Sequence, residues 1–261
     1  MLLGHVLDRG RGWLLANPRH IPAALERALF AALVVRRARR EPHAYLVGSK
    51  EWLDFALIVD RNVLIPRPET ETLAVAALAE LRARVVAADP THLPMSADVG
   101  TGSGALAIAI ARGVDGVSIY ATDSSAAALR VARRNAALLG VPRIAFLECD
   151  LLAGLPVQVD LLVANLPYIP TADLAALEPE LGYEPGAALD GGADGLEAIA
   201  ALLRQAPKYL APGATLLLEC GHNQAGRAIA LAGSVWPEVA GSSFADLAGI
   251  ARFVRLDLPR Q

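Results

Sequence analysis

The sequence predicts an α/β fold: a parallel, doubly wound sheet behind a small helical segment. From Ser96 onward, β-prone runs alternate with helix-periodic runs, the pattern of strands that pair in parallel through helical crossovers. The first of these strands passes into Asp98-Val99-Gly100-Thr101-Gly102-Ser103-Gly104, a glycine-rich turn that opens a helix. Ahead of it, residues 1–44 carry apolar side chains at helical spacing.

In that leading segment, Leu3, Val6 and Leu7 fit one face, and Ile21, Leu25, Leu29 and Leu33 recur every fourth residue, as core-facing helices do. Asn17-Pro18 breaks between them, and Pro22 suits a first helical turn. The run ends in Arg36, Arg37, Arg39 and Arg40. Such a cluster suits a solvated helix C-terminus, or an anionic partner surface such as RNA. Tyr45-Leu46-Val47 and residues 55–59 are β-prone around Gly48-Ser49-Lys50, which predicts a hairpin. Pro66 and Pro68 then fix an extended hinge, and Glu69 or Thr70 opens a helix to about Arg84. Beyond it, strands are predicted at 97–99, 117–122, 144–149, 160–164 and 214–219. The intervening helices are predicted at 104–112, 125–139, 196–210 and 223–232.

Composition narrows the class. The chain has 261 residues, 54% hydrophobic and 20% charged, which excludes intrinsic disorder and predicts one to two domains. Mean hydropathy is +0.39, yet the longest stretch free of Asp, Glu, Lys, Arg and His is residues 99–111, with three glycines in it. A membrane span needs about 20 apolar residues, so none is expected. The opening residues lack the basic leader of a signal peptide. Two cysteines, Cys149 and Cys220, make neither a disulfide framework nor a metal set, and read as reduced thiols in a cytoplasmic protein. A net charge of −3 disfavours a stable nucleic-acid partner.

Ligands of such sheets sit beyond the carboxyl ends of the strands, and the informative residues lie there. Gly100, Gly102 and Gly104 allow close backbone approach to a ligand. With Ala105 the first two also satisfy a dinucleotide-binding spacing. The second strand ends in Asp123, 25 residues after Asp98, where a carboxylate can accept from two ribose hydroxyls. The third ends in Cys149-Asp150-Leu151. Asp150 can accept from an adenine amine with Leu151 beside the base, or it can simply cap a turn. The fourth ends in Asn165-Leu166-Pro167-Tyr168. An Asn side-chain oxygen beside a backbone carbonyl can take both hydrogens of a planar NH₂ group, and Tyr168 can stack on a flat substrate.

Asn-x-Pro-Tyr after a fourth strand resembles the amino-methyltransferase signature Asn-Pro-Pro-Tyr. Ile65-Pro66-Arg67-Pro68-Glu69-Thr70-Glu71 resembles the segment that marks one branch of it, the release-factor glutamine methyltransferases (the HemK or PrmC family). Tyr183-Glu184-Pro185, Leu189-Asp190-Gly191-Gly192-Ala193-Asp194-Gly195-Leu196, Leu218-Glu219-Cys220-Gly221-His222-Asn223-Gln224 and Asp246-Leu247-Ala248-Gly249-Ile250 agree. The resemblance spans essentially the whole chain.

It implies a Rossmann-like class I methyltransferase domain with a seven-stranded, mostly parallel sheet in the order 3-2-1-4-5-7-6. Residues 67–261 would form that domain, 1–44 a helical substrate-docking domain and 45–66 a β-hairpin linker. Three strands would then separate the two cysteines, at about 4.8 Å each, too far for a disulfide. The resemblance further implies methyl transfer from S-adenosylmethionine, leaving S-adenosylhomocysteine. The acceptor would be the glutamine amide nitrogen of the Gly-Gly-Gln motif in class 1 peptide chain release factors. By motif, Asp98, Gly100, Thr101, Gly102, Ser103, Gly104, Asp123, Asp150, Leu151 and Asn165 would hold the cofactor. Asn165, Leu166, Pro167 and Tyr168 would hold the glutamine, and Arg67, Glu69 and Thr70 would line the mouth. Two departures stand out: Leu166 replaces the first Pro, removing a fixed φ, and the helical part starts late, short by about one helix. No metal, and no Cys or His nucleophile, is needed, and His222 reads as a loop histidine. Three rival readings use the same loops: an adenine or cytosine amino-methyltransferase acting on nucleic acid, a nicotinamide-dependent oxidoreductase, and a non-catalytic binding module, which Leu166 leaves open.

Overall fold

A computed structural model describes residues 1–87 and 93–260. Four short helices lead: α1 (Leu2–Leu7), α2 (Arg11–Ala16), α3 (Ala24–Ala38) and α4 (His43–Val47). A hairpin follows, β1 (Ser49–Trp52) and β2 (Phe55–Ile58). Then come α5 (Thr70–Ala87), β3 (Met95–Val99), α6 (Ala105–Gly113), β4 (Ser118–Asp123) and α7 (Ala126–Leu138). Next are β5 (Ile144–Glu148), β6 (Val159–Ala164), α8 (Glu197–Gln205), β7 (Leu210–Glu219), α9 (Ala225–Val235), β8 (Ala240–Ala245) and β9 (Ala251–Asp257).

The large sheet has seven strands in the order β5-β4-β3-β6-β7-β9-β8. β3 to β7 pair in parallel, and β9 runs antiparallel between β7 and β8. This is the expected strand order, with three strands between Cys149 and Cys220, both of which are free thiols. Side chains alternate across β6, as the pleat requires. Leu161 and Val163 join the core beneath α5 and α6. Leu162 and Ala164 join the core beneath α8 and α9. Burial on both faces is why these strands read as continuous apolar runs.

Several predicted elements shift. Tyr45-Leu46-Val47 is helical, in α4, with Tyr45 and Leu46 buried, and Gly48 stops the helix at φ 75°. The first hairpin strand therefore starts at Ser49 and turns at Leu53-Asp54. The helix predicted to reach Leu210 ends at Gln205, because Pro207 follows; Ala206–Lys208 is a single 3₁₀ turn. β7 begins four residues earlier than expected, where Leu210 pairs with Val159 ahead of a register shift. Of the predicted stripe Ile21, Leu25, Leu29 and Leu33, the first three face out, with Ile21 80% and Leu25 70% exposed. The helix starts only at Ala24 and turns Phe30, Leu33 and Arg37 inward instead. The six-residue α1 and five-residue α4 that pack on it are too small to bury both sides. Pro22 lies just ahead of the N-cap Ala23.

The arginine cluster is engaged within the chain. Arg36 makes a bidentate pair with Glu41 at 2.7 and 2.8 Å, which with Arg61 holds that carboxyl down at about 2. Arg37 bonds Glu180, and Arg40 bonds Glu178 and Glu180. The cationic heads of Arg37 and Arg40 fasten the end of α3 to the segment after β6, while Arg39 is exposed.

Candidate active site

A cavity of about 360 Å³ opens at the carboxyl ends of β3, β4, β5 and β6, within the roughly 300–1,000 Å³ of small-molecule sites. It lies where strand order reverses about β3, as expected for an open α/β sheet. Asp98, Gly100, Thr101, Gly102 and Ser103 line one wall. Gly104 stands behind it as the left-handed N-cap of α6. A Cβ there would press on Ala132 and Ile108 at 3.2 and 3.1 Å, so glycine is needed for helix packing.

The loop is wired from below. Thr122 O accepts from the N–H groups of Gly100 and Thr101. Asp98 Oδ2 accepts from Thr101 Oγ1 at 2.6 Å and Ala107 N at 3.0 Å. Burial pushes the Asp98 carboxyl up to about 6, with the nearby Asp123 charge adding to the rise. Asp123 accepts from Gly102 N and Ser125 N and faces the cavity. Its oxygens keep further lone pairs for a ligand. Asp150 and Leu151 also line the cavity. Among the described residues the Asp150 carboxylate caps nothing, which removes the turn-cap alternative. Leu151 adopts φ 51°, a left-handed conformation that Asp8, Arg40 and Leu53 also adopt.

Asn165, Leu166 and Pro167 form the facing wall. The two walls touch: a Cβ on Gly100 would sit 2.9 Å from Leu166 Cδ2. Tyr168 does not line the cavity; its hydroxyl donates to Glu219 Oε1 at 3.2 Å. Thr70 Oγ1 donates to Glu219 Oε2 at 2.7 Å, and Asn165 Nδ2 donates to Thr70 Oγ1 at 3.0 Å. Burial raises the Glu219 carboxyl and, with Glu219 beside it, the Tyr168 phenol. Arg67 lines the mouth with Thr70 and pairs with Glu184 at 2.6 Å, whose other oxygen accepts from Ile65 N. Glu69 is exposed and outside the cavity wall.

The loop after β6 is anchored despite Leu166. Gln224 Nε2 donates to Tyr168 O at 2.9 Å. Ile169 forms a parallel bridge with Asp190, and Asp190 accepts from Thr171 and Gly192. Gly191 fits against Tyr168 Cα, where a Cβ would stand at 2.7 Å. The Asp-Gly-Gly motif is therefore the backing of the loop after β6. The sequence marks Glu219 and Gln224 only within a segment of resemblance, with no role assigned, and does not single out Asn135 at all. Asn135 is buried in α7 and bonds Ile58 N, Ile58 O and Ser103 O, tying hairpin to glycine loop; nothing local marks it. Glu219 carried the same signal as Asp123: a carboxylate at a strand end.

Fold, strand order and paired loops at the switch point define a class I methyltransferase. Residues 1–48 match the family model described as PrmC N-terminal domain, and residues 85–176 match the methyltransferase small domain. A release factor glutamine methyltransferase of Bordetella pertussis is 41% identical over 233 residues, covering 88% of this chain and 83% of that one. One from Deinococcus radiodurans is 44% identical, covering 84% and 76%. In fold, the crystal structure of a ribosomal protein L11 methylase from Lactobacillus delbrueckii subsp. bulgaricus aligns with a TM-score of 0.52 at 22% identity, over 78% of this chain and 84% of that one. The chain belongs to the release factor glutamine methyltransferase family.

Proposed function

We propose that this protein transfers a methyl group from S-adenosylmethionine to the side-chain amide nitrogen of the Gly-Gly-Gln glutamine in class 1 release factors, releasing S-adenosylhomocysteine. The observation that supports it most directly is the contact between two loops, the glycine turn beyond β3 and Asn165-Leu166 beyond β6. A donor held by the first lies against an amide held by the second. The residues present fit such a donor: three strand-end carboxylates face the cavity, and the glycine turn leaves backbone room beside them. Asp123 would accept from the ribose hydroxyls, Asp150 from the adenine amine, and Leu151 would cover the base. When bound, S-adenosylmethionine supplies a methyl already activated on a sulfonium.

The chain's own task is the acceptor. An amide nitrogen is a poor nucleophile because its lone pair is delocalised into the carbonyl. Asn165 Oδ1 and the backbone carbonyl of Leu166 would accept its two hydrogens. That fixes the nitrogen toward the donor and favours the more positive nitrogen of the transition state. A backbone carbonyl serves from leucine as from proline. The displaced proton can leave to water after transfer. Tyr168 acts behind the loop through Glu219. Residues 1–44 are proposed as the docking part, 45–66 as linker and 67–261 as the catalytic part, in a cytoplasmic enzyme. The test is transfer of labelled methyl to a purified class 1 release factor, with the site located by peptide mass spectrometry. One methyl on the Gly-Gly-Gln glutamine is expected; methyl elsewhere, or none while cofactor still binds, rejects the substrate.

A further inference from the structure

The side chain of Asn165 faces the cavity from one side and a buried relay from the other. Strand register assembles that relay: Ala164 pairs with Leu218 across β6 and β7, so Asn165 and Glu219 stand next to each other at adjacent strand ends. Thr70, at the first turn of α5, bridges them, bonding Asn165 Nδ2 at 3.0 Å and Glu219 Oε2 at 2.7 Å. Tyr168 holds the other oxygen, Oε1, at 3.2 Å. Glu219 is 1% exposed and Thr70 5%; water does not compete for these bonds.

We propose that Glu219 is a positioning residue for methyl transfer, holding the Asn165 amide with its oxygen toward the cavity by fixing the direction of the Thr70 hydroxyl. The inference rests on the Asn165 clamp proposed above. A primary amide has nearly the same shape when its O and NH₂ are exchanged, but only one orientation is useful here. Glutamine brings two N–H hydrogens and must meet an oxygen; a reversed Asn165 would meet NH₂ with NH₂. Thr70 alone cannot choose, since a hydroxyl can donate or accept. A carboxylate can only accept. The single Thr70 hydrogen is therefore committed to Glu219, only lone pairs remain for Asn165, and Asn165 must present its nitrogen. The Tyr168 bond keeps the carboxylate in place, and ties it to the substrate loop itself.

Glu219→Gln keeps the shape and reverses the logic. Tyr168 donates to the Gln oxygen, the Gln nitrogen donates to Thr70, and the Thr70 hydrogen turns to Asn165, favouring its oxygen inward. The expected result is a fall in kcat of roughly 10- to 100-fold, with cofactor Kd within about twofold and thermal stability no lower than wild type. Thr70→Val should do the same, and Thr70→Ser should restore most of kcat. The groups facing Glu219 are Tyr168, Thr70, Glu69, Arg252 and Cys220. Burial lifts its protonation above the usual carboxylate range. The wild-type kcat should therefore decline on the acid side, and Glu219→Gln should lack that limb. Orientation is also read without substrate, from the Asn165 side-chain amide pair in ¹⁵N spectra, assigned by its loss in Asn165→Asp. Its proton exchange is slow in wild type and accelerates in Glu219→Gln if the relay sets the amide. Unchanged exchange, or turnover of Glu219→Gln within about twofold of wild type, overturns the relay. A wild type that shows the exchange signature but methylates no release factor overturns the substrate and leaves the relay standing.

Discussion

Removing the Asn165 side chain separates binding from chemistry. Asn165→Ala leaves Asp123, Asp150 and the glycine turn intact, so cofactor Kd should stay within about twofold. Meanwhile kcat should fall about 100-fold or more, the usual loss when one preorganised polar group aimed at the reacting atoms is deleted. Equilibrium binding beside single-turnover kinetics checks both, and near-normal turnover would sink the clamp. Leu166 is a milder departure than its sequence suggests. The fixed φ of proline is gone, but the leucine is buried with its Cδ2 against Gly100, and the carbonyl it offers is a backbone group.

At the scale of elements, the loop after β6 owes its position to segments far along the chain. Gly195 adopts φ 76°, and a Cβ there would fall on Tyr168 O and Gln224 Nε2. Gly195→Ala adds both left-handed strain and an overpacked contact. It should cost about 2–3 kcal/mol of stability, seen as a lowered urea midpoint, and kcat should fall with it because the Tyr168 anchor shifts. The bonds of Arg37 and Arg40 to Glu178 and Glu180 join α3 to the same region. Arg40 and Glu178 are largely exposed, so these pairs orient more than they stabilise.

Across the whole molecule, the site leaves a mark on stability. Asp98 is fully buried and its carboxyl is raised to about 6 from an ordinary 3.8. The folded protein therefore keeps this proton to higher pH than the unfolded chain. Below about pH 4 the group costs nothing; as pH rises toward 6 the folded state must bury a charge, and stability falls by about 3 kcal/mol. Asp98→Asn should lack this loss. Urea unfolding of both proteins between pH 4 and 7 checks it: the wild-type unfolding free energy should fall relative to that of Asp98→Asn across that window and then level.

The sequence by itself determined what repeats locally or sits at a strand end. Alternating periods predicted the parallel strands to within a few residues, most plainly β3, β6 and β7, which bury both faces. Asp123, Asp150 and Asn165 were legible as lining of the cavity because ligand sites in this fold lie where strands stop. Pro66 to Thr70 and the Asp-Gly-Gly segment were legible as resemblance, although their physical work was not. What only tertiary structure decided depends on which distant groups meet. Tyr45-Leu46-Val47 became helix because α1 and α3 pack on it, against its β propensity. Ile21, Leu25 and Leu29 face outward, and only Leu33 of that stripe turns in, because the neighbouring helices bury only one face of α3. Thr70, Glu219 and Tyr168 lie 51 to 149 residues apart, and no local pattern announces their hydrogen bonds. Sheet register brings Glu219 beside Asn165, and a buried carboxylate there has no water to turn to. Packing fixes its partners, and its acceptor-only chemistry then sets the direction of the bonds.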